Sequence, residues 1–329
     1  MVDSSVLSRA VSLASRAPSL HNTQPWRWVA YRGTLALHLD RRRIVTNTDD
    51  AGRQALISCG VMLDHLRVAM AAAGWRSSIH RFPNDRDPDL LATVSFTAAD
   101  PEPTDLARAD AILHRRTDRL PLLAPTDWTI VEAAVQDLLD GPDGVDPAPA
   151  LLDTLAEELR PDLSRAASLT EAIRRFDSAY QRDLDWWTTP FEYTEGIPRT
   201  ALTSVDESDR VEVNRSFPVE GRGHRRPGVG EDQAQILLLS TGGDTAADAL
   251  GAGEALSRVL LECTVAGLAT CPVTHVTELP EVRSAIAAVT AVDTVPQALI
   301  RVGQIPGALT ENPAITPRRP VAEILRFAG

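Results

Sequence analysis

Lysine is missing from all 329 residues, so the basic complement of 33 residues is arginine throughout. That absence excludes a P-loop phosphate-binding lysine, a pyridoxal Schiff base and a lysine general base. Cysteine is scarce too. Cys59, Cys263 and Cys271 cannot build a disulfide framework, and none has the paired spacing of a zinc or thioredoxin-like site, which suits a reducing cytoplasm. Positive charge is in deficit, and a net charge of -12 argues against a nucleic-acid partner. The opening MVDSSVLSRAVSLAS has neither a basic start nor a continuous apolar segment, and no apolar run is expected to be long enough to span a bilayer. No G-x-G-x-x-G opens a helix, no G-x-S-x-G forms a nucleophile elbow, and no H-E-x-x-H offers zinc ligands. His38, His65, His80, His114 and His224 show no metal-ligand spacing, so no metal is expected. Polar recognition is left to arginine, side-chain amides and backbone. Arginine suits that task, because its planar fork matches phosphate bidentately and its charge is not titrated away.

What is present is a run at residues 17–28, APSLHNTQPWRW. Pro18 cannot continue a helix and Pro25 cannot sit in mid-sheet, so the residues between them form a rigid turn with exposed backbone amides. Asn22 and Gln24 add amides that both donate and accept, as the uracil-like edge of a flavin requires. Trp26 and Trp28 then alternate with Arg27, the period of a strand with one buried face. The rest reads as a helix over 2–15, strands over 26–31 and 34–39, a long helix over 52–73 and a strand over 90–96. A linker, ADPEPTDLARAD, leads into a helix carrying LHRRTDRLP. Residues 127–187 read as wholly helical and 194–232 as a loop. Strands over 235–240 and 298–302 and helices near 246–266 and 279–289 follow.

The run P-S-x-x-N-x-Q-P-W closely resembles that of nitroreductase-like FMN flavoproteins, whose matching residues line the flavin of a partner subunit. The resemblance implies an α+β fold. An internal echo refines it: Gly60 and Gly74 bracket one helix and Gly253 and Gly267 another, with the same spacing of 14. Leu63 and Leu66 correspond to Leu256 and Val259. Such a pattern belongs either to any two core helices or to duplicated halves, 1–100 and 101–329, packed like the family's homodimer. The first half carries the turn. The second carries HRRTDRL, GLATCPVTH and the late TPRRPVAEIL, but no second P-S-x-x-N-x-Q-P-W. One FMN site per chain, in a monomer that imitates a dimer, is therefore expected.

The resemblance also assigns roles. Pro18, Ser19, Asn22 and Gln24 would line the flavin. Arg115, with Arg318 or Arg319, would meet its phosphate, Arg116 beside it would also bind the cofactor, and Thr117 would meet the ribityl or phosphate oxygens. Arg119 would sit near N1 and O2, where a cation stabilises the reduced ring. Backbone at Val273, Thr274 and His275 would face N5. His275 stands where some members have glycine, and either crowds the ring or points away. His21 is a structural hydrogen-bonder or a proton donor. No side chain is assigned a catalytic role.

Trp186, Trp187, Phe191 and Tyr193 gather aromatics just where the second half lacks its turn. They either pack in the core or form part of a lid over 186–232 hinged by glycines. A long variant of this kind resembles the Acg group of actinobacterial nitroreductase-like proteins. Two functions fit: an FMN enzyme passing electrons from NAD(P)H to a small acceptor, or a protein that stores or sequesters flavin without rapid turnover.

Overall fold

The computed structural model describes residues 2–139, 150–188, 196–217, 225–307 and 315–328. Helix α1 (Ser4–Ala14) starts where the Asp3 carboxylate accepts from the Ser5 amide at 2.7 Å, and buries Leu7, Ala10, Val11 and Ala14 at helical spacing. Strands β1 (Trp26–Tyr31) and β2 (Thr34–Leu39) then form a hairpin. Its two-residue turn, Arg32 and Gly33, has φ of 48° and 80°, the left-handed pair that matches strand twist. Helix α2 (Arg53–Ala72), β3 (Trp75–Arg81), β4 (Leu90–Ala98) and α3 (Pro103–His114) follow.

Beyond α3 come α4 (Trp128–Leu139), β5 (Ala150–Thr154), α5 (Arg160–Arg174), α6 (Ser178–Thr188) and the single turn α7 (Val205–Ser208). The chain continues through β6 (Gln235–Thr241), α8 (Ala246–Val265), β7 (Ala269–Val273), α9 (Pro280–Thr290) and β8 (Val295–Gly303). It ends with α10 (Val321–Ile324) and β9 (Leu325–Phe327).

The strands form two sheets, in the orders β3-β4-β2-β1-β9 and β5-β6-β8-β7. Read backwards, the second is β7-β8-β6-β5, the connectivity of the first without β9, and all three shared pairings are antiparallel in both. Each sheet also shifts register at matching places, Leu37/His38 and Leu239/Ser240. β9 pairs parallel to β1, so the end of the chain completes the sheet built by its beginning.

The long helices α2 and α8 cross at Gly60 and Gly253. A Cβ on Gly60 would lie 2.0 Å from the Leu250 carbonyl oxygen, and one on Gly253 would lie 2.0 Å from that of Ile57. The two glycines occupy equivalent places in the echo, and each lets the other backbone approach. By length and apolar composition α2 alone among the described residues could cross a bilayer, which corrects the expectation that no segment could. Its apolar surface is instead spent on the core, with Met62, Leu63, Leu66 and Met70 fully buried.

Four strands escaped the sequence reading, among them the three-residue β9. β5 interrupts the stretch read as wholly helical; it is an edge strand burying only Leu152, so its pattern is weak. β3 is likewise an edge strand, with no fully buried residue. β7 contains Pro272, which argues against a strand except at an edge, where β7 lies. In the segment read as a loop, the described residues hold only a 3-10 turn, Arg199–Ala201, and α7. Trp186 is 59% exposed rather than packed away, while Phe191 and Tyr193 lie outside the described residues.

Candidate functional site

The turn that opens the site is strained. His21, Asn22 and Gln24 have φ of 48°, 61° and 52°, left-handed values that cost a non-glycine residue roughly 1–2 kcal/mol each. Ser19 holds them: its carbonyl accepts from the Asn22 amide at 3.0 Å and its hydroxyl from the Gln24 amide at 3.0 Å. Behind the turn is a cavity with about 780 Å³ of empty space, part of it open to solvent.

Six parts of the chain build its wall. The turn gives Pro18, Ser19, Leu20 and His21, and α2 gives Gln54, Ile57, Ser58 and Val61. Thr117 and Arg119 come from the strand-like segment after α3, where Thr117 bridges Thr270. Residues 271–275 are the end of β7 and the turn after it, Leu256 reaches in from α8, and Ile197, Asn214, Arg215 and Phe217 come from the long insertion.

Of the residues expected to line a ligand, Pro18, Ser19, Thr117, Arg119, Val273, Thr274 and His275 do line the cavity. Asn22 and Gln24 do not. The structure turns both amides into the protein: Asn22 Nδ2 donates to the carbonyls of Gly196 and Pro317 at 3.0 Å each. Gln24 Nε2 donates to the Asn22 carbonyl at 3.2 Å, and its Oε1 accepts from the Arg319 amide at 2.8 Å. The backbone amides of Asn22 and Gln24 are used within the turn rather than offered outward.

Arg115, Arg116 and Arg318 stand beside the cavity rather than in its wall, and Arg16, at the end of α1, joins them. Arg115 is buried, and its Nε and Nη1 have no partner among the described residues. Burial, then the charges of Arg116 and Arg16, pushes it down to about 10. Arg318 donates only to carbonyls, those of Ser15, Arg16 and Ala17 at 2.8–3.2 Å and those of Thr316 and Pro317. Burial, then Arg16, Arg115 and Arg116, holds it well below its ordinary value. Among the described residues none of the four pairs with a carboxylate. Four clustered cations without an acid suit an anion, which would offset the desolvation of Arg115 and their mutual repulsion. Arg319 turns elsewhere, toward Glu323 at 3.5 Å.

Inside the cavity, Arg119 reaches the Ala201 carbonyl at 3.3 Å and stacks 5.2 Å from the centre of the Phe217 ring. Arg215 pairs with buried Glu278, donates to Tyr180 Oη at 2.9 Å and lies 3.4 Å from His21 Nε2. Burial, then Arg215, keeps both His21 and His275 far below their usual value, so both rings are neutral at pH 7. His275 has neither ring nitrogen partnered among the described residues. A buried polar atom left without a partner costs about 1–3 kcal/mol, so this wall is suited to a polar, planar ligand with an anionic end.

Sequence reasoning missed Arg16 and the residues of the insertion. Arg16 sits two positions before Pro18, next to the motif that was recognised. Asn214 and Arg215 belong to no motif; their one signal is the alternation of buried Val211 and Val213 just before them.

No family model matches the chain. It is 49% identical over 325 residues to a protein of Mycobacterium tuberculosis (strain ATCC 25618 / H37Rv) assigned provisionally as the NAD(P)H nitroreductase acg, with 98% of this chain and 96% of that one covered. A second provisional NAD(P)H nitroreductase of that organism is 33% identical over 336 residues, covering 99% and 92%. Among solved structures, the FMN-dependent nitroreductase NfnB from Mycobacterium smegmatis in complex with NADPH is similar with a TM-score of 0.41 and 19% identity, over 68% of this chain and 98% of that one. Sharing about half its residues with acg along almost its whole length, the chain belongs to the Acg-type family of nitroreductase-like proteins.

Proposed function

We propose that this chain is an FMN-binding oxidoreductase of the NAD(P)H type, with one flavin per chain and restricted access to it. The observation that carries the reading is the clustering of buried Arg115 with the half-buried Arg16, Arg116 and Arg318 beside the cavity. A dianionic phosphate supplies what that group lacks, and bidentate forks suit it. Thr117 and Ser19, which line the cavity, would meet the ribityl chain. Arg119 would bring a cation to the pyrimidine side, and the 273–275 backbone would face N5. Bound FMN supplies one- and two-electron transfer between a nicotinamide donor and a small acceptor.

The single site follows from the chain's two related halves. Their sheets share one connectivity, and α2 and α8 cross at equivalent glycines. After Gly60 comes Val61, which lines the cavity. After Gly253 comes Glu254, which is buried and held by Arg81 in a bidentate pair at 2.6 and 2.7 Å, so the equivalent place is filled by protein. A monomer with a dimer's seam inside it is the state we assign, in a reducing cytoplasm that suits three free, buried cysteines.

The insertion favours a second reading, a protein that stores flavin without rapid turnover. Ile197, Asn214, Arg215 and Phe217 line the cavity, and Arg215 is tied down by Glu278. Mixing loaded protein with NADH or NADPH in a stopped-flow instrument separates the two. Rapid bleaching of the flavin supports turnover, whereas bleaching by dithionite alone supports storage.

A further inference from the structure

Three buried residues in the cavity wall keep polar atoms that no described residue satisfies: Gln54 Oε1, both ring nitrogens of His275, and Asn214 Nδ2. They come from three separate elements, α2, the turn after β7 and the insertion, and are 3%, 1% and 7% exposed. Together they present an amide acceptor, an amide donor and an imidazole with one donor and one acceptor. Such a mixed set matches the edge of a planar heteroaromatic ring. Asn214 is held at the wall by its neighbours: Val213 is fully buried, and Arg215 is tied to Glu278 and Tyr180.

We propose that Asn214 is a ligand-binding residue, donating its amide hydrogen to the ring system in the cavity, so that the insertion is fastened by the molecule it covers. The inference rests on the reading above that the ring is a flavin. Binding and closure are then reciprocal: whatever FMN contributes to holding the insertion shut, the insertion returns as retention of FMN. The insertion is thereby part of the cofactor site as well as a screen over it.

The test uses the full chain loaded with FMN, and the variants Asn214→Ala and Asn214→Asp. The second keeps the size of the side chain and removes the donor. Flavin release is followed by the fluorescence of free FMN after dilution, and closure by trypsin cleavage after exposed Arg199. Loss of one hydrogen bond predicts release about five-fold faster in both variants. It also predicts that FMN protects Arg199 in the wild type and protects it less in either variant. Wild-type release rates and undiminished protection in Asn214→Asp would overturn the assignment, even if Asn214→Ala fails to fold. A wild-type chain that takes up no FMN at all would instead overturn the flavin reading, and this inference with it.

Discussion

Replacing Arg115 with methionine should move the empty and the loaded protein in opposite directions. In the empty chain, Arg115 is a buried cation with two unpartnered nitrogens and like-charged neighbours in Arg16 and Arg116. Methionine fills similar volume without that cost, so stability should rise by about 1–3 kcal/mol. For 329 residues at about 2.1 cal/mol/K each, that corresponds to a midpoint raised by roughly 1.5–4 °C. In the loaded chain the substitution removes charge-assisted hydrogen bonds worth about 1.5–3 kcal/mol apiece. Loss of one or two weakens FMN by roughly ten-fold to roughly twenty-thousand-fold, at about 1.4 kcal/mol per factor of ten. Differential scanning calorimetry with and without saturating FMN, paired with a flavin titration, reads both arms. A variant that binds FMN as the wild type does, or whose empty form melts several degrees lower, would refute the reasoning.

Other outcomes follow from the same coordinates. Arg318→Ala should lose flavin at least ten-fold faster in a release assay, whereas Arg319→Ala, whose side chain faces Glu323, should stay within about two-fold of wild type; equal losses would remove the distinction. Gly60→Ala or Gly253→Ala should destabilise the chain by about 3 kcal/mol or more in urea unfolding, because a Cβ there lies 2.0 Å from a carbonyl oxygen of the crossing helix; a change below 0.5 kcal/mol would contradict the crossing. His21, His65 and His275 are buried neutral, with His65 pushed down to about 3 by burial and then by Arg115. Each native value lies below the unfolded one near 6.5, so their contribution is complete above that pH and is lost as pH falls. Unfolding titrations should show stability dropping by up to about 1.4 kcal/mol per histidine for each unit below 6.5; a flat profile between pH 7 and 5 would show that the rings are not buried neutral.

Much of the site was legible because it is written in short, chemically specific runs. Pro18, Ser19, Thr117, Arg119 and His275 were named from local motifs, and the chain folds them around one cavity. Long elements with strong periodicity, such as α2 and α8, were placed to within a residue or two. Edge strands were not, since β3 and β5 bury little and β7 carries a proline that an interior strand would reject. The contribution of Asn22 was legible as a turn but not in its direction. Its amide is drawn to Gly196 and Pro317, partners 174 and 295 residues away. Arg16 and Asn214 went unseen for a similar reason: each matters only through what the tertiary fold sets beside it.

The proposed single flavin would be held by the arginine group beside the cavity. Its most direct test is to saturate the purified chain with FMN, remove the excess, then release and count the bound flavin against protein concentration. One FMN per chain, lost on Arg115→Met, is the predicted result. No retained flavin, or two per chain, would contradict it.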